Sequence, residues 1–307
     1  MADSRRPGAP EDGVAGPTSA LSAERYLAWL YSPPAMQPVL TALCQIESEV
    51  AASLKPGVDH HVAHTRLQWW QEECERTAEG RAVHPLTREL VAAAASAAAA
   101  AVAAAGGATP ASGSVPSPLA GISGFVDTAV WDLASATFET RKELVAYCER
   151  WSTAMFETAA LAGGAAIEQS SLRTIGAAVR ETELLANLAR EAHNGRLRIP
   201  LDELERAGID TGSLAKVPWP APLVSLLRDR HTALRKTIAD GVSRLVNAEQ
   251  GAVRGLLVWA GLAWRQSWRA QRALPNVILP RRYHALADGW HAWRAAHRAT
   301  AGKLRLQ

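Results

Sequence analysis

The chain has 307 residues, 48% of them hydrophobic and 21% charged, a balance that excludes a disordered or coiled-coil protein and supplies apolar side chains for a sizeable core. Its formal charge is only +3, with no block of like charges standing out, so nucleic acid is not an expected partner. Cys44, Cys74 and Cys148 are far apart and lack a metal-type pair spacing; they read as reduced core residues in a cytosolic setting.

In chain order, residues 1–20 carry two arginines but no apolar stretch behind them, which predicts a disordered leader rather than a secretory signal. Helical spacing then begins, and Pro33-Pro34 stops the first element. Leu40, Leu43, Ile46, Val50 and Leu54 fall three or four apart and make one apolar stripe. Glu47 sits on that stripe, where a carboxylate must be paired or neutralised, with Arg66 as candidate partner; an edge position reaching water is the competing reading. His60 and His64 have i, i+4 ligand spacing, but no third ligand stands near them, and a solvated turn competes with a metal site.

Leu67, Trp70 and Cys74 repeat the helical spacing. Leu90 to Ala105 is almost all alanine, which predicts a helix and gains too little from lipid transfer to be a convincing span. Residues 106–118 are rich in Gly, Pro and Ser and predict an exposed flexible loop. Thr140 with Glu143 is a capping-box pattern. Leu172, Ile175 and Val179 form another apolar row, and Arg180, Glu183, Asn187, Glu191 and Asn194 form a polar stripe opposite it, whose default reading is a solvent-facing side. Pro200 interrupts the next segment. The tryptophans, among them Trp69, Trp70, Trp259, Trp264, Trp268, Trp290 and Trp293, read mainly as core. The set from Trp259 to Trp293 is interleaved with Arg265, Arg269, Arg272, Arg281 and Arg282, a mixture that also suits an interfacial helix or a partner surface. Strand signals are nearly absent. The expectation is an all-α protein, one helical bundle over residues 21–298, followed by a tail at 299–307.

Several segments in order resemble the squalene/phytoene synthase family: Arg25-Tyr26-Leu27 and Tyr31-Ser32-Pro33, the run from Leu40 to Glu49, Arg66-Leu67-Gln68-Trp69-Trp70, Leu144-Val145-Ala146-Tyr147-Cys148, and Gly195-Arg196-Leu197-Arg198-Ile199-Pro200-Leu201-Asp202-Glu203-Leu204. The resemblance covers roughly residues 22 to 297 and implies an isoprenoid-synthase helical bundle around a central cavity. It further implies condensation of two prenyl diphosphates, with magnesium held by two aspartate-rich motifs. Here the first motif falls at about Ala51, Ala52 and Lys55, without an aspartate, and the second on Asn187 and Glu191; the resemblance also implies that the polar stripe carrying these two residues lines the central cavity, as a remnant of the diphosphate site. Glu47, Arg66 and Arg196 are the candidate polar residues of the cavity, and no catalytic or metal ligand is assigned.

The pattern is also similar to a branch of the family that includes a mitochondrial respiratory complex I assembly factor. The resulting expectation is a non-catalytic isoprenoid-binding or respiratory-complex assembly protein without a cofactor, cytoplasmic or peripheral at the inner face of a membrane. Its partners would be an isoprenoid or prenyl diphosphate, a membrane surface or a respiratory-complex subunit. The alternatives are an active head-to-head prenyltransferase using magnesium through an altered site, and a helical scaffold with an empty cavity.

Overall fold

The computed structural model describes residues 21–55, 57–104, 117–134, 137–276 and 285–307. The expected leader, most of the expected loop, Arg281 and Arg282 lie outside them. Every regular element among the described residues is helical.

Helix α1 (Ala23–Tyr31) starts at Ser22, whose hydroxyl accepts from Arg25 N at 3.4 Å, and ends before Pro33-Pro34. Helix α2 (Met36–Ala52) buries Leu40, Leu43, Ile46 and Val50 of the predicted row; its last member, Leu54, lies in the turn after the helix and is half-buried. Helix α3 (His60–Ala78) is capped by Asp59, which accepts from His61 N and Val62 N, and buries Leu67, Trp70 and Cys74. All three cysteines are buried and free.

Helix α4 (Pro85–Ala104) is the described helix long and apolar enough, by length and composition, to cross a membrane; its Leu90, Ala93, Ala94 and Ala97 side packs into the bundle. Its start is held from α3. The buried carboxylate of Glu73 accepts from Val83 N and His84 N, both at 2.8 Å, and from Thr87 Oγ1 at 2.5 Å, and pairs with Arg76 at 2.9 Å. Burial alone would raise its pKa, but these donors hold it at about 2. Glu73→Ala is therefore expected to cost about 3 kcal/mol by leaving those donors unmatched. A urea midpoint unchanged by the substitution would contradict that role.

A 3₁₀ turn (Ala120–Ile122) leads into α5 (Ser123–Leu133). Helix α6 (Arg141–Ser152) opens with Glu143 accepting from Glu139 N at 2.6 Å and Thr140 N at 3.4 Å, the acidic half of the predicted capping box. It runs through a π-helical turn (Thr153–Glu157) into α7 (Thr158–Ala162). The wider turn puts Trp151 and Phe156, five residues apart, on one side of the rod. There both rings meet Trp259, at centroid distances of 5.7 and 5.3 Å.

Helix α8 (Gln169–Ala186) buries Leu172, Ile175 and Val179, stops at Asn187 and is followed by α9 (Leu188–His193). Pro200 opens α10 (Leu201–Arg206) as well as ending what precedes it, its ring preset for a helix entry. After a 3₁₀ turn (Thr211–Ala215) come α11 (Ala221–Arg244), α12 (Asn247–Ala252), α13 (Arg254–Ala273) and α14 (Ala285–Thr300). The residues after α14 turn back onto the bundle: Leu304 N donates to Gln250 Oε1 at 2.9 Å, and Leu304 is buried.

One close approach ties α13 to the first helix, and a buried histidine joins α11 to α13. Gly255 lets α13 lie directly on α1, since a Cβ there would run into Ala28 O and Ser32 Oγ and sit 2.9 Å from Ser32 Cα. Between α11 and α13, the buried His231 has its Nδ1 3.0 Å from Ser267 Oγ. Burial, with Arg235 adding to it, pushes the His231 pKa down to about 4 from an ordinary 6.5. The unfolded chain thus binds this proton more readily. Stability is complete above pH 6.5 and is lost as the pH falls toward 4, by about 2 kcal/mol at pH 5. Urea midpoints at pH 7 and pH 5 test this, and His231→Gln should abolish that part of the difference.

Candidate functional site: a cleft of paired charges

A cleft of about 930 Å³ opens among α1, α2, α8, α9 and α13. Its deepest polar group begins with Glu47 on α2. Arg25, from α1, grips that carboxylate with both terminal nitrogens, at 2.5 and 3.3 Å, and Trp151 Nε1 donates to it at 2.7 Å. Arg180 on α8 lies 3.8 Å from Glu47 and 3.3 Å from Glu183; Arg25 reaches Glu183 at 4.0 Å. Trp259 Nε1 donates to Glu183 at 3.2 Å. Two glutamates, two arginines and two indoles therefore close on one another, with Arg25 stacked over Trp259 and Arg180 over Trp151, each at 5.1 Å.

The network continues sideways. Arg180 Nη2 donates to Tyr147 Oη at 3.4 Å, and Tyr147 Oη donates to Asp132 at 3.1 Å. Arg198 donates to Asp132 at 2.7 Å and to Glu191 at 3.1 Å, and Arg196 lies 3.8 Å from Glu191. Burial alone would raise Glu47's pKa, but Arg25 and Arg180 outweigh it and hold the carboxyl below its ordinary value. For Glu183 burial wins over the same arginines, and its pKa is raised. Burial likewise raises Tyr147, and it pushes the Cys44 thiol, beside Arg25, up to about 12, so this cysteine is not a nucleophile at neutral pH.

The expected site residues are partly assembled here. Glu47, Asn187, Glu191 and Arg196 line the cleft; Arg66 does not. It is exposed on α3, one position off the buried row of Ala63, Leu67, Trp70 and Cys74, so Arg25 replaces it as the partner of Glu47. The polar stripe, apart from the exposed Asn194, is not the solvent-facing side of the default reading; it lines the cleft, as the family resemblance implies. Arg180, Glu183, Asn187 and Glu191 all line the cleft, where the charges of Arg180, Glu183 and Glu191 are matched by Glu47, Arg25 and Arg198. Asn187 itself ends α8, its Nδ2 donating to Glu183 O at 3.0 Å. Ala51 and Lys55 line the mouth, while His60, His61 and His64 are exposed on the first turns of α3. The tryptophans divide: Trp70, Trp151, Trp219 and Trp259 are buried and Trp29, Trp131 and Trp264 pack half-buried against the core, as expected for most of them, whereas Trp69, Trp268, Trp290 and Trp293 are exposed.

Arg25, Asp132, Arg180 and Arg198 belong to the cleft network, and sequence reasoning did not assign them to the site. A signal existed for Asp132, an acid inside the apolar run from Phe125 to Leu133, the same anomaly that singled out Glu47. Arg25 carried no such mark, because its partners, Glu47 on α2 and Glu183 on α8, come from other helices.

A dehydrosqualene synthase crystallised with ligand is similar over 92% of each chain, with a TM-score of 0.66 and 14% identity. The squalene synthase HpnC from Alicyclobacillus acidocaldarius is similar over 83% of this chain and 90% of its own, with a TM-score of 0.62 and 16% identity. These likenesses define an isoprenoid-synthase-type helical fold. The squalene/phytoene synthase family model matches residues 19–286, and the chain belongs to that family. No curated protein sequence matches it.

Magnesium, the metal that the family implies, does not fit the residues present. Mg²⁺ needs near-octahedral oxygen ligands, commonly free carboxylates and water. Here Glu47, Glu183, Asp132 and Glu191 each have a guanidinium within 4.0 Å. Among the described residues no three His, Cys, Asp or Glu side chains are grouped to hold a metal ion.

Proposed function

We propose that this chain is a non-catalytic member of the squalene/phytoene synthase family that holds an isoprenoid in the cleft without a metal. The carrying observation is the pairing just described: the carboxylates deep in the cleft are neutralised by arginines of the same chain. Ionising a prenyl diphosphate requires its departing charge to be met by cations that are free to take it. Arg25, Arg180 and Arg198 already face carboxylates, so none of these three deep cations offers an uncommitted charge; Lys55 and Arg190, which also line the cleft, have no ion pair among the described residues.

Binding asks for less. Leu54, Leu86, Leu184 and Trp259 supply an apolar wall beside the polar network, a mixture that suits a molecule with an isoprenoid chain and a polar head. The packed Trp151, Phe156 and Trp259 rings block deeper entry, which favours one chain lying along the cleft over two chains brought together for condensation.

The test has two arms. Incubation with farnesyl diphosphate, magnesium and NADPH, beside an active synthase, is expected to yield no squalene-type hydrocarbon and no released diphosphate. Calorimetric titration with farnesyl diphosphate and with farnesol in EDTA is expected to show binding. Magnesium-dependent product would establish the active prenyltransferase instead, and an absence of binding to either ligand would leave the cleft without the proposed cargo. Magnesium alone is expected to leave the melting temperature unchanged, because a metal bound by the native state would raise it.

A further inference from the structure

We infer that the outer face of α14 docks on an anionic lipid surface. Leu286, Trp290, Trp293 and His297 recur at helical spacing along the side opposite the buried Asp288, Ala292, Ala295 and Ala299. The first three are 92%, 56% and 47% exposed, unusual for side chains of this size. Trp290 and Trp293 stack at 5.0 Å between ring centroids, and Trp293 stacks on His297 at 5.7 Å, so the rings form one raised apolar ridge. Neither indole N–H has an acceptor among the described residues.

Charge selects the occupant. From Arg254 to Gln307 the sequence carries ten lysines and arginines and one acid, Asp288, although the whole chain sums to only +3. Asp288 is buried and paired with Arg269 and Arg265, so neither it nor those two arginines contribute to the outer face, which leaves eight of the ten basic residues against no acid. Arg294 and Arg298 are exposed beside the ridge, and on neighbouring α13 Arg272 lies 4.7 Å over the exposed Trp268. Indoles set among arginines on a helix lying flat match the interfacial zone of a bilayer that contains anionic lipid. A second copy of the chain fits poorly, since a two-fold contact through this face would set like charges against each other.

The experiment is flotation of the full chain with vesicles of phosphatidylcholine alone and of phosphatidylcholine with about one third phosphatidylglycerol. The wild type is expected to float with the mixed vesicles only, with a blue shift in tryptophan emission. The double variant Trp290→Ala/Trp293→Ala should lose roughly tenfold or more in partitioning. Arg294→Ala and Arg298→Ala should each lose roughly fivefold. These side chains are exposed, so circular dichroism should be unchanged. Wild type left in the bottom fractions, or double-variant flotation equal to wild type, would overturn the inference. So would a dimer in sedimentation that the double variant dissolves, which would give the face to a second copy.

Discussion

Glu47→Ala is expected to destabilise the protein by about 3–5 kcal/mol, the range for breaking a buried ion pair from one side. The loss follows from what remains: Arg25 would keep a single carboxylate, Glu183 at 4.0 Å, and the Trp151 indole would donate to nothing. Arg66→Ala is the matched control. Its side chain is exposed and touches none of this network, so it should stay within about 0.5 kcal/mol of wild type. Equal urea midpoints for Glu47→Ala and wild type would remove Glu47 from the centre of the cleft. The pH response has two opposing parts. Stability from Glu47, whose pKa is held below 4.5, is present above that value and lost as the pH falls through its folded pKa. Glu183, with its pKa raised above 4.5, favours the folded state more as it protonates and offsets part of that loss.

Gly255→Ala should cost about 3 kcal/mol, the upper end for overpacking, because two of the atoms in the way, Ala28 O and Ser32 Cα, are backbone and cannot rotate aside. Pushing α1 off α13 also pulls Arg25 away from Trp259 and Glu47. The two substitutions, Gly255→Ala and Glu47→Ala, should therefore combine to less than their sum. Gly289→Ala in α14 is the comparison, since open space surrounds its Cβ position; it should be neutral or stabilising by up to about 1 kcal/mol. Additive effects of the first pair would separate helix docking from the charge network.

The helices were legible because burial leaves a period. The rows on α2, α3 and α8 are the ones that spacing alone marks, and the all-helical architecture follows from them. Glu47 was legible for the converse reason, a carboxylate standing in such a row. Its partner was not. Helical spacing says which way Arg66 points only after the phase of α3 is known, and nothing local says that α1 crosses α2 so as to deliver Arg25. The stripe from Arg180 to Glu191 has the same ambiguity, since a polar side lining an interior cleft and one facing water have the same periodicity. The break at Asn187 was hidden too, because Asn is tolerated both inside a helix and at its end.

Lys55, Arg25, Arg180, Arg190, Arg196 and Arg198 line the cleft together with Glu24, Glu47, Glu49, Asp132, Glu183 and Glu191. Opposite charges so evenly matched, and so close, cancel within about one Debye length of the opening. A ligand in solution would feel almost no pull toward it. Its association rate would be that of ordinary collision and nearly indifferent to ionic strength, so discrimination among ligands must come after arrival, in how long each one stays.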